Sequence, residues 1–296
     1  MPRGVGYDRL AKNPGGGELW RQIVGTLIVA AAFLVIGLVV LLVGSVVALL
    51  IGLPQPLPGQ LFGDPVFGLV VLLLSIACVL PVVFGTAALI QRRRPGTLSS
   101  VAGRLRWSWL LRCLLLAVVA LVLGQVAQAV ALAVTGEQVS EMFGWAGWSA
   151  FLPAIIVIVL LVPFQAATEE YIFRGWILQA FGTQLRNPVW GIVLGSLVFA
   201  SLHGYTWVGL VDVFSFGVVT GFLAVRTGGL ESGIALHTIN NTLAFGISAA
   251  AGQLNEALQQ GEVPWQSLAG SVVQLAVFVI GVLHLAKKRS ISTISP

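Results

Sequence analysis

Charge is scarce in this sequence. Only 9% of its 296 residues are charged, against about a quarter in soluble domains, and 16 basic plus 11 acidic side chains cannot cover a water-soluble fold of this size. Disorder is excluded as well, because a disordered chain needs low hydrophobicity and abundant charge. Cysteine is nearly missing: Cys78 and Cys113 lie in or beside apolar runs, which rules out a disulfide scaffold and leaves them as packing residues. There is no internal repeat of fixed period, no heptad pattern and no low-complexity tract beyond the Gly15 to Gly17 leader, so a solenoid and a coiled coil are also out. Histidine occurs three times.

What remains is apolar. Hydrophobic residues make up 57% of the chain, with a mean hydropathy of +0.96, and they fall in unbroken runs long enough to cross a bilayer, which takes about 20 residues. The pattern reads as an all-α polytopic membrane protein of about eight transmembrane helices: Gln22 to Leu53, Val66 to Ile90, Cys113 to Val134, Ala150 to Phe181, Pro188 to His203, Gly209 to Val225, Ser232 to Ala251 and Ser267 to Ala286. The first run is too long for a signal peptide and lacks a small-residue cleavage site, so it is expected to stay as a helix. The organisation then falls into a cytoplasmic leader (1–21), three N-terminal transmembrane helices of unassigned role (22–134), a core rich in buried polar residues (150–251), and a last helix with a basic cytoplasmic tail (252–296).

Basic residues mark the cytoplasmic side of a membrane protein. With both termini inside, all 16 fall there: four in the leader, six between Arg92 and Arg112, then Arg174, Arg186, Arg226, Lys287, Lys288 and Arg289. The opposite face has Asp64, Glu137, Glu141, Glu256 and Glu262 and no basic residue. This asymmetry accounts for the net charge of +5 as attraction to an anionic inner leaflet. Lipid is therefore the expected partner and nucleic acid is not, in a multi-pass protein expected in the cytoplasmic membrane.

An ionisable group at membrane depth is expensive, which makes it a functional candidate. The fourth run contains Glu169, Glu170 and Arg174. Glu170 and Arg174 stand four residues apart, acid first, in the order that favours an ion pair on one helical face. Glu169 is turned about 100° away and has no partner on its own helix. On these residues alone the simpler reading is a wet helix end at the inner interface with a snorkelling arginine.

His203 and His237 change that balance, since both lie in the same region and Asn241 follows His237 by one turn. His284 sits beside Lys287 and Lys288 and reads as interfacial. At 1.5 Å per residue His203 is about 22 Å, and His237 about 9 Å, from the cytoplasmic start of its helix, so a shared depth depends on tilt. If the groups converge, a carboxylate in low dielectric is a poised proton acceptor for water, a histidine can orient that water, and His237 with Asn241 offers donors to an oxyanion. The reaction would be hydrolysis of an amide without a covalent nucleophile. Two histidines and a glutamate are also a zinc ligand set, but the helical H-E-x-x-H arrangement is missing, so no cofactor and no metal are expected.

Glu169-Glu170-Tyr171-Ile172-Phe173-Arg174, Phe199-Ala200-Ser201-Leu202-His203 and His237-Thr238-Ile239-Asn240-Asn241 resemble, in order, the E-E-x-x-x-R, F-x-x-x-H and H-x-x-x-N motifs of the CAAX prenyl protease 2 family, the CPBP or ABI group of intramembrane proteases. The resemblance spans about Ala150 to Ala251. It implies an intramembrane glutamic endopeptidase in which Glu169 and His203 activate water, His237 and Asn241 stabilise the oxyanion, and Glu170 with Arg174 supports them. It implies a peptide or lipidated-protein substrate, because eukaryotic members cleave prenylated C-terminal tripeptides while bacterial relatives are tied to peptide processing and bacteriocin self-immunity. Two readings from other classes stay open: an ion-coupled transporter, although no paired inverted halves are visible, and a catalytically idle immunity or scaffold protein on the same fold. Asp212, near the outer start of the sixth run, reads as an interfacial cap in preference to a second polar group facing the site. Gly191-x-x-x-Gly195 and Gly217-x-x-x-Gly221 read as close-packing devices, and Pro163 as a kink in the fourth helix.

Overall fold

A computed structural model describes residues 1–12, 18–137 and 144–296; the Gly15 to Gly17 leader and the outer-face Glu141 lie outside them. Among the described residues the chain is all-helical, with only isolated β-bridges. The α-helices are α1 (Leu19–Leu50), α2 (Pro65–Ala77), α3 (Leu80–Leu89), α4 (Trp107–Val134), α5 (Trp148–Glu170), α6 (Leu178–Gln184), α7 (Pro188–Ser201), α8 (Trp207–Thr227), α9 (Glu231–Ala251), α10 (Leu254–Gln259) and α11 (Ser267–Lys288). A π-helical segment, Tyr171–Ile177, joins α5 to α6, so Trp148–Gln184 forms one continuous helical rod.

Local sequence explains where several helices begin and break. The amide of Phe67 donates to the Asp64 carboxylate at 2.7 Å and that of Val189 to Asn187 at 3.0 Å, each cap being followed by a proline at the first helical turn, where its missing N–H costs nothing. The second expected span is interrupted, because Pro81 cannot donate to the turn before it, and α2 gives way to α3.

Six helices are long and apolar enough to cross a membrane, fewer than the eight runs read from sequence. The two that fall short have different reasons. Helix α7 has 14 residues, a rise of about 21 Å against a hydrocarbon core of about 30 Å. Helix α9 has 21 residues, but His237, Thr238, Asn240, Asn241 and Thr242 dilute its apolar character. It packs against α4, α5 and α8, a protein-lined position where polar side chains find partners.

The ends of the chain pair with each other. The amide of Gly4 donates to Ser295 O and that of Ser295 to Val5 O, both at 2.9 Å, so the two termini lie side by side at one end of the bundle. Lipid-facing surface is apolar, with Leu34 71% and Leu50 81% exposed on α1. The main core gathers Trp109, Trp176, Leu178, Leu223 and Phe278. A second core, where α2 meets α5, α9 and α10, holds Leu69, Leu73, Ile158, Val162 and Leu254. Helix α2, whose role was not legible in the sequence, thus buttresses the helix that carries Glu169.

Candidate active site

Helices α5 and α9 pack along each other, and each brings its polar residues to the same level. Glu169 and Glu170 close α5 immediately before the π segment; such widened turns are frequent at functional sites because they redirect successive side chains. Glu170 is 0% and Arg174 3% exposed. Their ion pair, expected from spacing, is present at 3.0 Å.

Glu169 turns out to be partnered across the bundle, which the reading of one helix could not reveal. His237 Nε2 lies 3.2 Å from Glu169 Oε2, and its Nδ1 lies 2.9 Å from Glu170 Oε1. One imidazole therefore bridges two carboxylates that point in different directions from adjacent positions on α5. With both ring nitrogens donating, the two acids, the imidazolium and the guanidinium sum to zero charge, the condition under which a buried ionic cluster is tolerable. Asn241 Nδ2 donates to Gln165 Oε1 at 3.0 Å. Gln165, one turn before Glu169, was missed from sequence; a glutamine four residues before an acid in an otherwise apolar helix was the available signal.

His203 approaches from the link between α7 and α8. Its Nδ1 lies 2.9 Å from Phe199 O, and because a carbonyl only accepts, Nδ1 carries the hydrogen. In the neutral ring Nε2 is then the free lone pair. The Phe199 ring lies edge-on to both histidines, 4.7 Å from His203 and 5.9 Å from His237 between centroids. Arg174 lies over the same Phe199 ring at 4.3 Å, a cation–π contact. The three motifs thus converge on one centre walled by Phe173, Phe199 and Phe216.

Two absent side chains make room for the ions. A methyl group at Gly217 would sit 3.0 Å from Arg174 Nη2 and 2.9 Å from the Ser196 side chain, and one at Gly233 would sit 2.5 Å from Glu170 Oε2. The clash falls on Oε2, and turning the carboxylate to relieve it disturbs Oε1, which holds both Arg174 and His237. Gly233→Ala is therefore expected to cost about 1–3 kcal/mol, as overpacking does, in a detergent unfolding titration; a variant as stable as the parent would mean that Glu170 has other room. Gly217 and Gly221 of the G-x-x-x-G pairs press on Ser196 and Ile192 of α7, while Gly191 and Gly195 face the π segment and α6, so these pairs pack helices as read.

Asp212 does not cap α8. Thr206 occupies the cap position, and the Asp212 side chain faces Ser271 of α11, because it lies more than a turn inside the helix, where the amides already have partners. His284 is exposed near the end of α11. Glu231, unremarked in the sequence, is 0% exposed. It accepts from Arg106 Nε at 2.8 Å, Nη2 at 2.7 Å and the Arg106 amide at 2.8 Å, tying the base of α9 to the start of α4. Among the described residues no group of three or more His, Cys, Asp or Glu side chains is arranged to hold a metal ion.

Fold and centre together define a multi-pass, all-helical membrane protein with a buried acid, imidazole and carboxamide cluster. Residues 147–243, which contain all three motifs, match the family described as Rce1-like, type II CAAX prenyl endopeptidase. The resemblance carried by the motifs is thus to a CAAX-protease-type membrane protein. Two relatives are uncharacterized: YyaK of Bacillus subtilis (strain 168), 33% identical over 101 residues, or 31% of this chain and 33% of that protein, and a 24.3 kDa protein of Escherichia coli, 30% identical over 92 residues, or 30% of this chain and 41% of that protein. The match thus spans well under half the length of either. No solved structure matches.

Proposed function

We propose that this protein is an intramembrane endopeptidase of the cytoplasmic membrane that hydrolyses a peptide bond in a prenylated or otherwise membrane-associated peptide, using water activated by Glu169 and His203. The observation that carries this reading is the convergence of Glu169, His203, His237 and Asn241, contributed by α5, the α7–α8 link and α9, on a single centre in which Glu169 and His237 are buried and His203 and Asn241 half-buried.

Water sits between a Glu169 oxygen and His203 Nε2. Glu169 takes one proton as the water oxygen bonds to the scissile carbonyl carbon. The negative charge moves from the carboxylate to the carbonyl oxygen, and His237 Nε2–H, no longer held by an ionised Glu169, donates to that oxyanion together with the second N–H of Asn241. The C–N bond then breaks, and Glu169 returns its proton to the leaving amine. Glu170 and Arg174 keep the His237 ring in place while its other nitrogen changes partner.

The test is cleavage of a library of lipidated and membrane peptides by the purified protein in lipid vesicles, read by mass spectrometry. Wild type is expected to cut a subset of them and His203→Ala is not. Chelation is expected to leave the rate unchanged; loss on chelation with recovery on added zinc would replace the metal-free mechanism. If no peptide is cut under any condition, the peptidase reading fails.

A further inference from the structure

Helix α7 ends at Ser201 and α8 starts at Trp207, so His203 stands on a five-residue link, tied to the last turn of α7 by its amide, which donates to Ala200 O at 3.1 Å. Its ring is fixed from one side by Phe199 O and stacks on the Tyr205 ring, centroids 6.2 Å apart and planes within 12°. Tyr205 in turn rests on Gly209, where a methyl group would meet its ring at 2.6 Å. The three residues after His203 are each tied to the turn that follows α10. Gly204 N–H donates to Gln260 Oε1 at 2.5 Å, Tyr205 forms a parallel bridge with Gly261, and Thr206 N–H donates to Gly261 O at 3.1 Å.

Gln260 meets this arrangement in a costly conformation. Its φ of 66° and ψ of −80° belong to a region that a residue with a Cβ rarely occupies, and such strain persists only where the surroundings over-determine it. The surroundings do: Leu254 and Leu258 anchor α10 in the second core against Leu69 and Leu73 of α2. The turn is thus anchored through α10, with its carboxamide aimed at the backbone beside His203.

We infer that Gln260 is a positioning residue for His203, holding the α7–α8 link so that the imidazole faces Glu169 when water is activated. The inference rests on the peptidase reading for its kinetic consequence, but its structural content can be read without any activity. The chain has three histidines, so histidine-selective ¹⁵N labelling of the whole protein in bicelles gives three sets of imidazole signals, with His203 assigned through His203→Ala. Gln260→Ala is expected to shift or broaden the His203 signals and leave those of His237 and His284 in place. In the vesicle assay it is expected to lower kcat about threefold to tenfold with KM unchanged, the worth of one hydrogen bond. Gln260→Glu keeps the acceptor oxygen and should restore both readouts. Unmoved His203 signals in Gln260→Ala, a Gln260→Glu variant as impaired as Gln260→Ala, or displacement of all three histidines with a lower unfolding temperature would each overturn the assignment. Failure of the peptidase reading is seen separately, as wild-type protein that cuts nothing while the imidazole signals still report on the turn.

Discussion

Glu169→Gln is expected to lower kcat for peptide cleavage by about 10²- to 10⁴-fold, the usual worth of a positioned general base, while leaving the protein folded. The amide has the size of the carboxylate and still offers an oxygen to His237 Nε2, 3.2 Å away in the parent. His237 also keeps its second anchor on Glu170 at 2.9 Å. What the amide cannot do is take a proton from water. Because the substitution leaves substrate contacts intact, KM should stay near the parent value, and the loss should appear in single-turnover rates. Unfolding titrations of the two proteins in the same detergent provide the control, since a variant that lost activity by unfolding would show it there. A rate within about tenfold of the parent in a folded Glu169→Gln protein would end the assignment of Glu169 as base.

The parts of this molecule legible in its sequence are those that a single segment determines. The all-helical membrane class follows from the apolar runs, the Glu170–Arg174 pair from helical spacing, and the candidate residues from being polar where polarity is expensive. That Glu169, His203 and His237 meet was expected from the three motifs taken together, but which side chain pairs with which across segments was not legible. Glu169 looked unpartnered because its partner, His237, is 68 positions away, and Asp212 looked like a cap because only the packing of α8 on α11 brings Ser271 to it. Hydropathy singles out fewer helices than the eight runs for a related reason: it measures what a helix contains, whereas α9, 21 residues long, is enclosed by α4, α5 and α8, where its asparagines find partners. Gln165 was missed although a glutamine one turn before an acid in an apolar helix marked it, and Glu231 because it does not stand out until Arg106 is seen against it. The π segment after Glu170 has no sequence signal comparable to a proline.

The Glu170–Arg174 pair makes the second large expectation, in stability. Both groups are almost fully buried, so Glu170→Ala leaves a guanidinium without its counter-charge and also removes the anchor of His237 Nδ1; the expected cost is about 3–5 kcal/mol, as for one partner stripped from a buried ion pair. Arg174→Ala should cost less, because Glu170 retains His237 as a partner at 2.9 Å. The informative protein is the double variant Glu170→Gln with Arg174→Met, in which no uncompensated charge remains and the volumes are nearly kept. Replacing a buried ion pair by neutral groups of similar size is often close to neutral in stability, so this protein should unfold at a higher denaturant concentration than Glu170→Ala despite carrying two changes. Completing the cycle with Glu170→Gln and Arg174→Met singly should give a coupling between the sites of about 0.5–3 kcal/mol, whereas losses that add to within about 0.5 kcal/mol would mean the two side chains do not act as a pair. The stable double variant should nevertheless cleave poorly: its neutral amide holds His237 less firmly than the charged carboxylate did, and without a fixed ring the donor meant for the oxyanion is no longer in place when charge develops there.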